Sequence, residues 1–322
     1  MPLWLESENE IMIVENIRFL WKTSAKVCGD KGLTAAKRRM QFMLYAIRNY
    51  NSLKPMISAP PTTALGKFMR QRPEIVGAVL WPYQCSDWNA RTRLGRIRAH
   101  YSALSEIHSP LDFSPDEQLC LLDLCEITED LRLIVEQPHW FMREGQVTMS
   151  LFHGETRIYS LVFSLLREDE ALVAFIGGIQ GRDIDGALEK YRELTKSAHG
   201  LRPRDLLLEL FRMLCALLGI EQIHGIADEY RQNRSRYFGR SARTKILPTN
   251  YNDIWEDRSG SRIDPTFYRL PVQSQQRELE DIPAKKRGMY RRRYALLSSL
   301  KAQLQSNYER ILAEQLQHRA PV

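Results

Sequence analysis

A chain of 322 residues, 43% hydrophobic and 26% charged, is long enough to bury a substantial core and too apolar to stay disordered. Its formal net charge of +7 favours an acidic partner: nucleic acid, a phosphate-bearing ligand or an anionic membrane surface. No eighteen apolar residues follow one another, so no transmembrane segment is expected.

The five cysteines, Cys28, Cys85, Cys120, Cys125 and Cys215, form no CxxC pair, and their odd number leaves at least one unpaired within a monomer. That usage suits a reducing compartment. Glu6 and Glu8 also stand where a secretory signal needs basic residues, so a cytoplasmic protein is expected. His139 and His153 fall at no zinc-binding spacing, and no metal is expected.

Residues 1–108 read as a helical, basic N-terminal region and 109–322 as an α+β domain. Thr34 is placed to cap a helix whose apolar positions are Met40, Met43, Leu44 and Ile47, with Lys37, Arg38 and Arg39 in its early turns. The Pro- and Ser-rich stretch 52–63 breaks that pattern. A further helix over 89–107 interleaves Arg91, Arg93, Arg96 and Arg98 with Leu94, Ile97, Tyr101 and Leu104, giving a second basic surface.

From Leu131 the apolar period shortens. Segments 131–137, 146–152, 157–165 and 171–179 read as four strands of an antiparallel meander joined by short turns. In the third, Tyr159, Leu161, Phe163 and Leu165 alternate with Ser160, Val162 and Ser164, which predicts one better-buried face. The fourth runs into Gly177-Gly178-Ile179-Gln180-Gly181. This cluster matches neither GxxxxGK[ST] nor GxGxxG, so it is either a bulge or tight turn, or a backbone surface for a ligand.

A helix over 183–197, the turn His199-Gly200-Leu201-Arg202-Pro203, a helix over 204–218 stopped by Gly219 and a strand over 220–227 follow. Strand, glycine loop, helix and strand in that order suit a phosphate held at a helix N-terminus. Between 228 and 271, arginines including Arg231, Arg234, Arg236, Arg240 and Arg243 mix with Tyr237, Tyr251, Trp255, Phe267 and Tyr268, which either pack a long loop or stack bases. Near the end, the ten residues Lys285 to Tyr294 hold six cations and no anion at the start of a long helix opened by Pro283. Its stripe Tyr290, Tyr294, Leu297, Leu300, Leu304, Tyr308 and Ile311 anchors one face. The cations form either a solvated face or an anion site in which Lys286 or Arg287 joins Arg291 one turn on.

Five ordered blocks carry a resemblance: Arg143-Glu144-Gly145-Gln146-Val147-Thr148-Met149-Ser150-Leu151-Phe152, Ile176-Gly177-Gly178-Ile179-Gln180-Gly181, His199-Gly200-Leu201-Arg202-Pro203, Tyr251-Asn252-Asp253-Ile254-Trp255-Glu256, and the run from Ile282 to Tyr294. Together they resemble the VirK/YbjX family of bacterial proteins over roughly residues 90–300. The resemblance implies an association with virulence, envelope stress and tolerance of cationic antimicrobial peptides, and supplies no catalytic residue. The chain departs from the family at Arg258-Ser259-Gly260-Ser261, where a glycine pair is usual.

The expected fold is α+β: a helical N-terminal region, then a mainly antiparallel sheet flanked by helices, similar to GCN5-related N-acetyltransferases, and a long C-terminal helix. Two functions compete. The first is an acyltransferase-like enzyme in which Gly177, Gly178, Gln180, Gly181 and Arg202 hold a donor, acyl-CoA or aminoacyl-tRNA, and Lys286, Arg287 or Arg291 neutralises its phosphates. His199, Glu144 or Tyr230 would be its acid or base. The second is a non-enzymatic binder of nucleic acid or anionic lipid headgroups, using the cations of 91–98, 231–243 and 285–293.

Overall fold

The computed structural model describes residues 3–29, 32–107, 109–183, 185–244, 247 and 249–319, with side chains from 12 to 317 among them. Helices α1 (Leu3–Cys28), α2 (Leu33–Arg48), α3 (Tyr50–Ile57), α4 (Ala64–Gln71) and α5 (Ala90–Glu106) precede strands β1 (Gln118–Asp123), β2 (Leu131–Glu136), β3 (Val147–His153), β4 (Thr156–Glu168) and β5 (Ala171–Gly181). Helices α6 (Ala187–Ser197) and α7 (Pro203–Leu217) then lead to β6 (Gln222–Ile226). Helix α8 (Tyr251–Glu256), β7 (Ser261–Arg262), β8 (Phe267–Leu270) and the long α9 (Ala284–Arg319) follow. The acidic start at Glu6 and Glu8 and the boundary at residue 108 lie outside the described side chains.

The sheet order is β1-β2-β3-β4-β5-β6-β8-β7, and only β5 and β6 run parallel. The α+β class is therefore as the sequence predicts, with β1 added at the edge. One face of the sheet packs on α7, where the Phe163 and Phe211 rings meet at 4.9 Å. Both rings are fully buried, and each contributes about 1.5–3 kcal/mol by leaving water. The other face packs on the N-terminal region: Tyr83 Oη lies 2.7 Å from Ser164 Oγ, and Leu166 packs with Ala99. Both faces are thus covered, so Ser160 and Ser164 are buried and bonded rather than turned to solvent.

A single buried cluster runs from Leu20 in α1 to Ile311 in α9. The apolar stripe of α9 is seated in it as expected, with Leu300 and Leu304 fully enclosed. The N-terminal helices depart from expectation. The N-cap of α2 is Gly32, so Thr34 lies inside the helix; the buried face is Ala35, Phe42 and Ala46, while Met40, Leu44 and Ile47 are exposed. The stretch 52–63 does not wholly break helical structure either. Helix α3 continues through Pro55, close enough to its end that burial of Leu53 and Met56 offsets the missing hydrogen bond. Among the described residues no helix is long and apolar enough to cross a membrane.

The glycine cluster is strand, not loop. Val162 pairs with Gly178 and Phe163 with Ile176, which leaves Gly177 as the extra residue of a β-bulge in β5. Pairing of β5 with β6 ends at Ile176 and Gly225, and residues 177–181 continue past it.

Candidate functional site

Two groups of functional side chains lie on opposite faces of the free end of β5. On the N-terminal-region face, the turn His139–Phe141 delivers Glu144 ahead of β3, and Gln84 N–H donates to the Arg143 carbonyl at 2.7 Å. The Glu144 carboxylate lies directly on the bulge. A Cβ at Gly178 would overlap its Oε2, and one at Gly177 would overlap the Glu144 carbonyl oxygen. Glycine at both positions is what lets a carboxylate approach the strand backbone so closely.

Glu144 as a residue is half-buried, but its Oε2 is sealed from solvent and accepts no hydrogen bond from any described residue. Gln232 Nε2 approaches Oε1 at 3.5 Å, the only partner of that carboxylate among the described residues. Burial pushes the Glu144 pKa up to about 7, against the lowering influence of Arg231. A carboxyl poised near neutrality is suited to exchange a proton. Two other buried oxygens nearby also have no donor among the described residues: Oε1 of Gln84, whose Cγ approaches Gly177, and Oε1 of Gln232.

Tyr251 closes the gap where β5 leaves β6. Its fully buried hydroxyl accepts the Ile179 N–H at 2.8 Å, and Arg231 stacks 3.7 Å above its ring. Arg231 is held by Asp228 at 3.2 Å and by the Thr249 carbonyl at 3.0 Å. Burial raises the Asp228 pKa, but hydrogen bonds from Arg234, the Tyr251 N–H and Arg231 outweigh it and hold Asp228 below the usual range. Burial drives the Tyr251 pKa well above that of a free phenol, so the hydroxyl stays protonated.

On the α7 face, a cavity of about 770 Å³ opens between α6, the N-terminus of α7 and the start of α9. Tyr159 and Tyr191 form an aromatic wall, and a Cβ at Gly181 would crowd both. Lys196, His199, Arg202, Arg204 and Arg292 surround the mouth, with no acidic residue among the lining side chains. His199 and Gly200 both have positive φ, and the His199 carbonyl accepts two hydrogen bonds from Arg293, at 3.1 and 3.0 Å. That clamp docks the basic helix on the turn.

The expected site residues therefore divide. Glu144, Gly177 and Gly178 meet at the bulge, while His199 and Arg202 line the cavity and Gly181 lies against its Tyr159–Tyr191 wall. Gln180 pairs with Ser160, one residue out of phase with Gly181 and Tyr159, and lines no part of the cavity. Lys286, Arg287 and Arg291, expected to neutralise a donor's phosphates, do not line this cavity: Lys286 and Arg291 are exposed, and Arg287 donates to the Ile282 and Glu280 carbonyls at 2.9 and 3.1 Å. Arg292, itself exposed, is the cation of this run that lines the cavity. Tyr230 is half-buried against the core, away from Glu144 in every described contact, and Trp255 packs on Tyr251 at 5.7 Å instead. In the sequence Tyr251 stands among the loop aromatics and opens one of the five family blocks, while nothing there singles out Gln84 or Gln232. No local motif marks either glutamine.

Two of the four arginines of the second basic surface, Arg93 and Arg96, are engaged within the fold, as is Arg243 of the later loop. Arg93 donates to the Trp88 and Ala78 carbonyls, and Arg96 pairs with Glu168 at 2.8 Å. Arg243 pairs with Asp87 at 2.9 Å.

A family model described as a protein of unknown function (DUF535) matches residues 31–306. The chain is 28% identical over 250 residues to an uncharacterized protein YbjX of Escherichia coli, covering 74% of each chain. It is 35% identical over 188 residues to an uncharacterized protein of Haemophilus influenzae, covering 56% of this chain and 60% of that one. A stretch of 112 residues is 39% identical to a protein of Mannheimia haemolytica named membrane protein LapB, covering 34% of this chain and 48% of that one. No solved structure matches.

Proposed function

We propose that this chain, which belongs to the DUF535 family of YbjX-like bacterial proteins, is an acyltransferase-like enzyme that passes an acyl group from a phosphate-bearing donor to an amine or hydroxyl. The observation that carries the reading is the Glu144 carboxyl, seated on bare backbone at the Gly177 bulge with an unpartnered oxygen and a pKa near 7. Glu144 takes the proton of the acceptor as its nitrogen or oxygen attacks the acyl carbon. Tyr251 supplies a neutral hydroxyl beside it for the leaving group. Across β5, Lys196, Arg202 and Arg292 neutralise the donor's phosphates, and the Tyr159 and Tyr191 rings give its apolar parts a wall. The succession of antiparallel strands, a glycine-marked strand end and a following helix is similar to that of GCN5-related N-acetyltransferases, whose donor pyrophosphate rests on backbone amides there.

The competing reading, a non-enzymatic polyanion binder, is weakened by how many of the arginines it invokes are bound to carbonyls and carboxylates. A thermal-stabilisation panel of acyl-CoAs, nucleotides and charged tRNA at two salt concentrations separates the two. Saturable stabilisation by one donor class is expected. Arg202→Gln with Arg292→Gln weakens that binding at least about tenfold, consistent with losing two charge-assisted contacts, whereas Lys286→Gln with Arg291→Gln leaves it unchanged. Glu144→Gln keeps donor binding and lowers turnover by about 10²–10⁴. No small-ligand shift, together with salt-sensitive RNA binding, would sink the enzyme reading.

A further inference from the structure

Of the fifteen large apolar side chains left exposed among the described residues, nine lie on α1 and α2. The two helices are antiparallel neighbours: Arg39 of α2 donates to Ser24 Oγ of α1 at 2.9 Å and stacks 4.7 Å from the Trp21 ring, and Asn16 reaches Tyr50. At about 100° per residue, Met40, Leu44 and Ile47 stand opposite the buried Ala35, Phe42 and Ala46. On α1, Val14, Ile17 and Trp21 share the arc that turns outward beside the seam with α2. Trp21 is 52%, Met40 65% and Leu44 68% exposed, too many large side chains in one place for scattered surface residues.

Among the described residues the charge around this patch is predominantly positive. Arg18, Lys22, Lys26, Lys37, Arg38 and Arg48 are all exposed and unpaired among the described residues, and Glu15 is the single exposed acid described between residues 12 and 48. Arg18 and Lys22 flank the apolar arc on the outer side of α1, and Lys37 and Arg48 do so on the outer side of α2. An apolar strip carrying a tryptophan and rimmed by cations is the pattern that seats in the interface of an anionic bilayer. A second copy is a poor occupant, since a two-fold contact would set the cationic rims against each other.

From this we infer that the α1–α2 hairpin is a docking surface for anionic lipid membranes, lying in the interface plane with Val14, Ile17, Trp21, Met40, Leu44 and Ile47 immersed. The surface is separate from the site around Glu144 and holds whether or not that site is catalytic.

The test is co-sedimentation of the full chain with vesicles of phosphatidylcholine alone and of phosphatidylcholine mixed with phosphatidylglycerol. Binding is expected to the mixed vesicles only, falling with salt, and weakening about fivefold for each of Arg18→Gln and Lys37→Gln. A triple variant, Met40→Ser, Leu44→Ser and Ile47→Ser, loses at least tenfold of the binding while keeping the parent melting temperature, because all three side chains are outside the core. Should that triple variant melt early, Arg18→Gln and Lys37→Gln, at exposed positions, carry the test alone. Equal binding to both vesicle types, or undiminished binding by the variants, overturns the inference. So does a concentration-dependent dimer in sedimentation velocity that the triple variant abolishes without any vesicle binding by the parent.

Discussion

Glu144 joins a titrating carboxyl to a strand that has no room for a side chain, and the cost of that arrangement has a definite pH dependence. Its pKa is raised from 4.5 to about 7 by burial, so between those values the folded protein holds a proton that the unfolded chain has released. The associated stability is full below about pH 4.5 and is lost as pH rises through about 7, a total of about 3 kcal/mol. Glu144→Gln removes that slope. Thermal melts from about pH 5 to about pH 8 are expected to show the variant near the parent in acid and more stable in mild base. His100 has the opposite sign: burial pushes its pKa to about 3, and its Nδ1 accepts the Leu165 N–H, so its contribution is present above about 6.5 and fades as pH falls toward 3. The two windows overlap between about pH 4.5 and 6.5 with opposite slopes, and Glu144→Gln tells them apart because it removes only the Glu144 contribution.

Strand β5 is the element on which both faces of the site depend. Gly178→Ala forces a methyl into the Glu144 carboxylate and is expected to cost about 1–3 kcal/mol by overpacking. The double variant Gly178→Ala with Glu144→Ala should recover much of that loss, because the two side chains clash with one another; chemical denaturation of the four proteins in the cycle measures the coupling. Additive losses would mean that the bulge itself, not the carboxylate, forbids the methyl. This element also shows what sequence can reveal. The period-two alternation of Tyr159 to Leu165 and the turn at Gly154 made the meander legible, and glycines at a strand end suggested a bulge. The partner that fills the space above those glycines was not legible, since Glu144 lies more than thirty residues away and reaches them only through the β3–β4–β5 register. Helix α2 shows the reverse error. Its strongest apolar spacing, Met40, Leu44 and Ile47, points to solvent, because the smaller Ala35 and Ala46 beside Phe42 give the closer approach to the core.

At the scale of the molecule, the buried cluster from Leu20 to Ile311 passes without a break through the helices before residue 108 and the sheet after it. Thermal or denaturant unfolding is therefore expected as one transition, with fluorescence and helical circular dichroism coinciding; Trp81, on the N-terminal side, and Trp255, under β6, report on both regions. Two resolved transitions would assign the helices a fold of their own. The charge balance of +7 was the plainest whole-chain signal, and it pointed to an anionic partner without locating the surface. Which cations lie free depends on side-chain geometry that composition does not contain.

Arg93, Arg231, Arg287 and Arg293 each donate to main-chain carbonyls and act as fasteners between segments. A guanidinium held this way has its donors engaged by peptide oxygens and is poorly placed to neutralise a phosphate, so it displaces few of the counterions condensed on an approaching polyanion. The number of ions displaced on binding any phosphate-rich surface is then set by the loose rim cations, not by the formal charge of the chain.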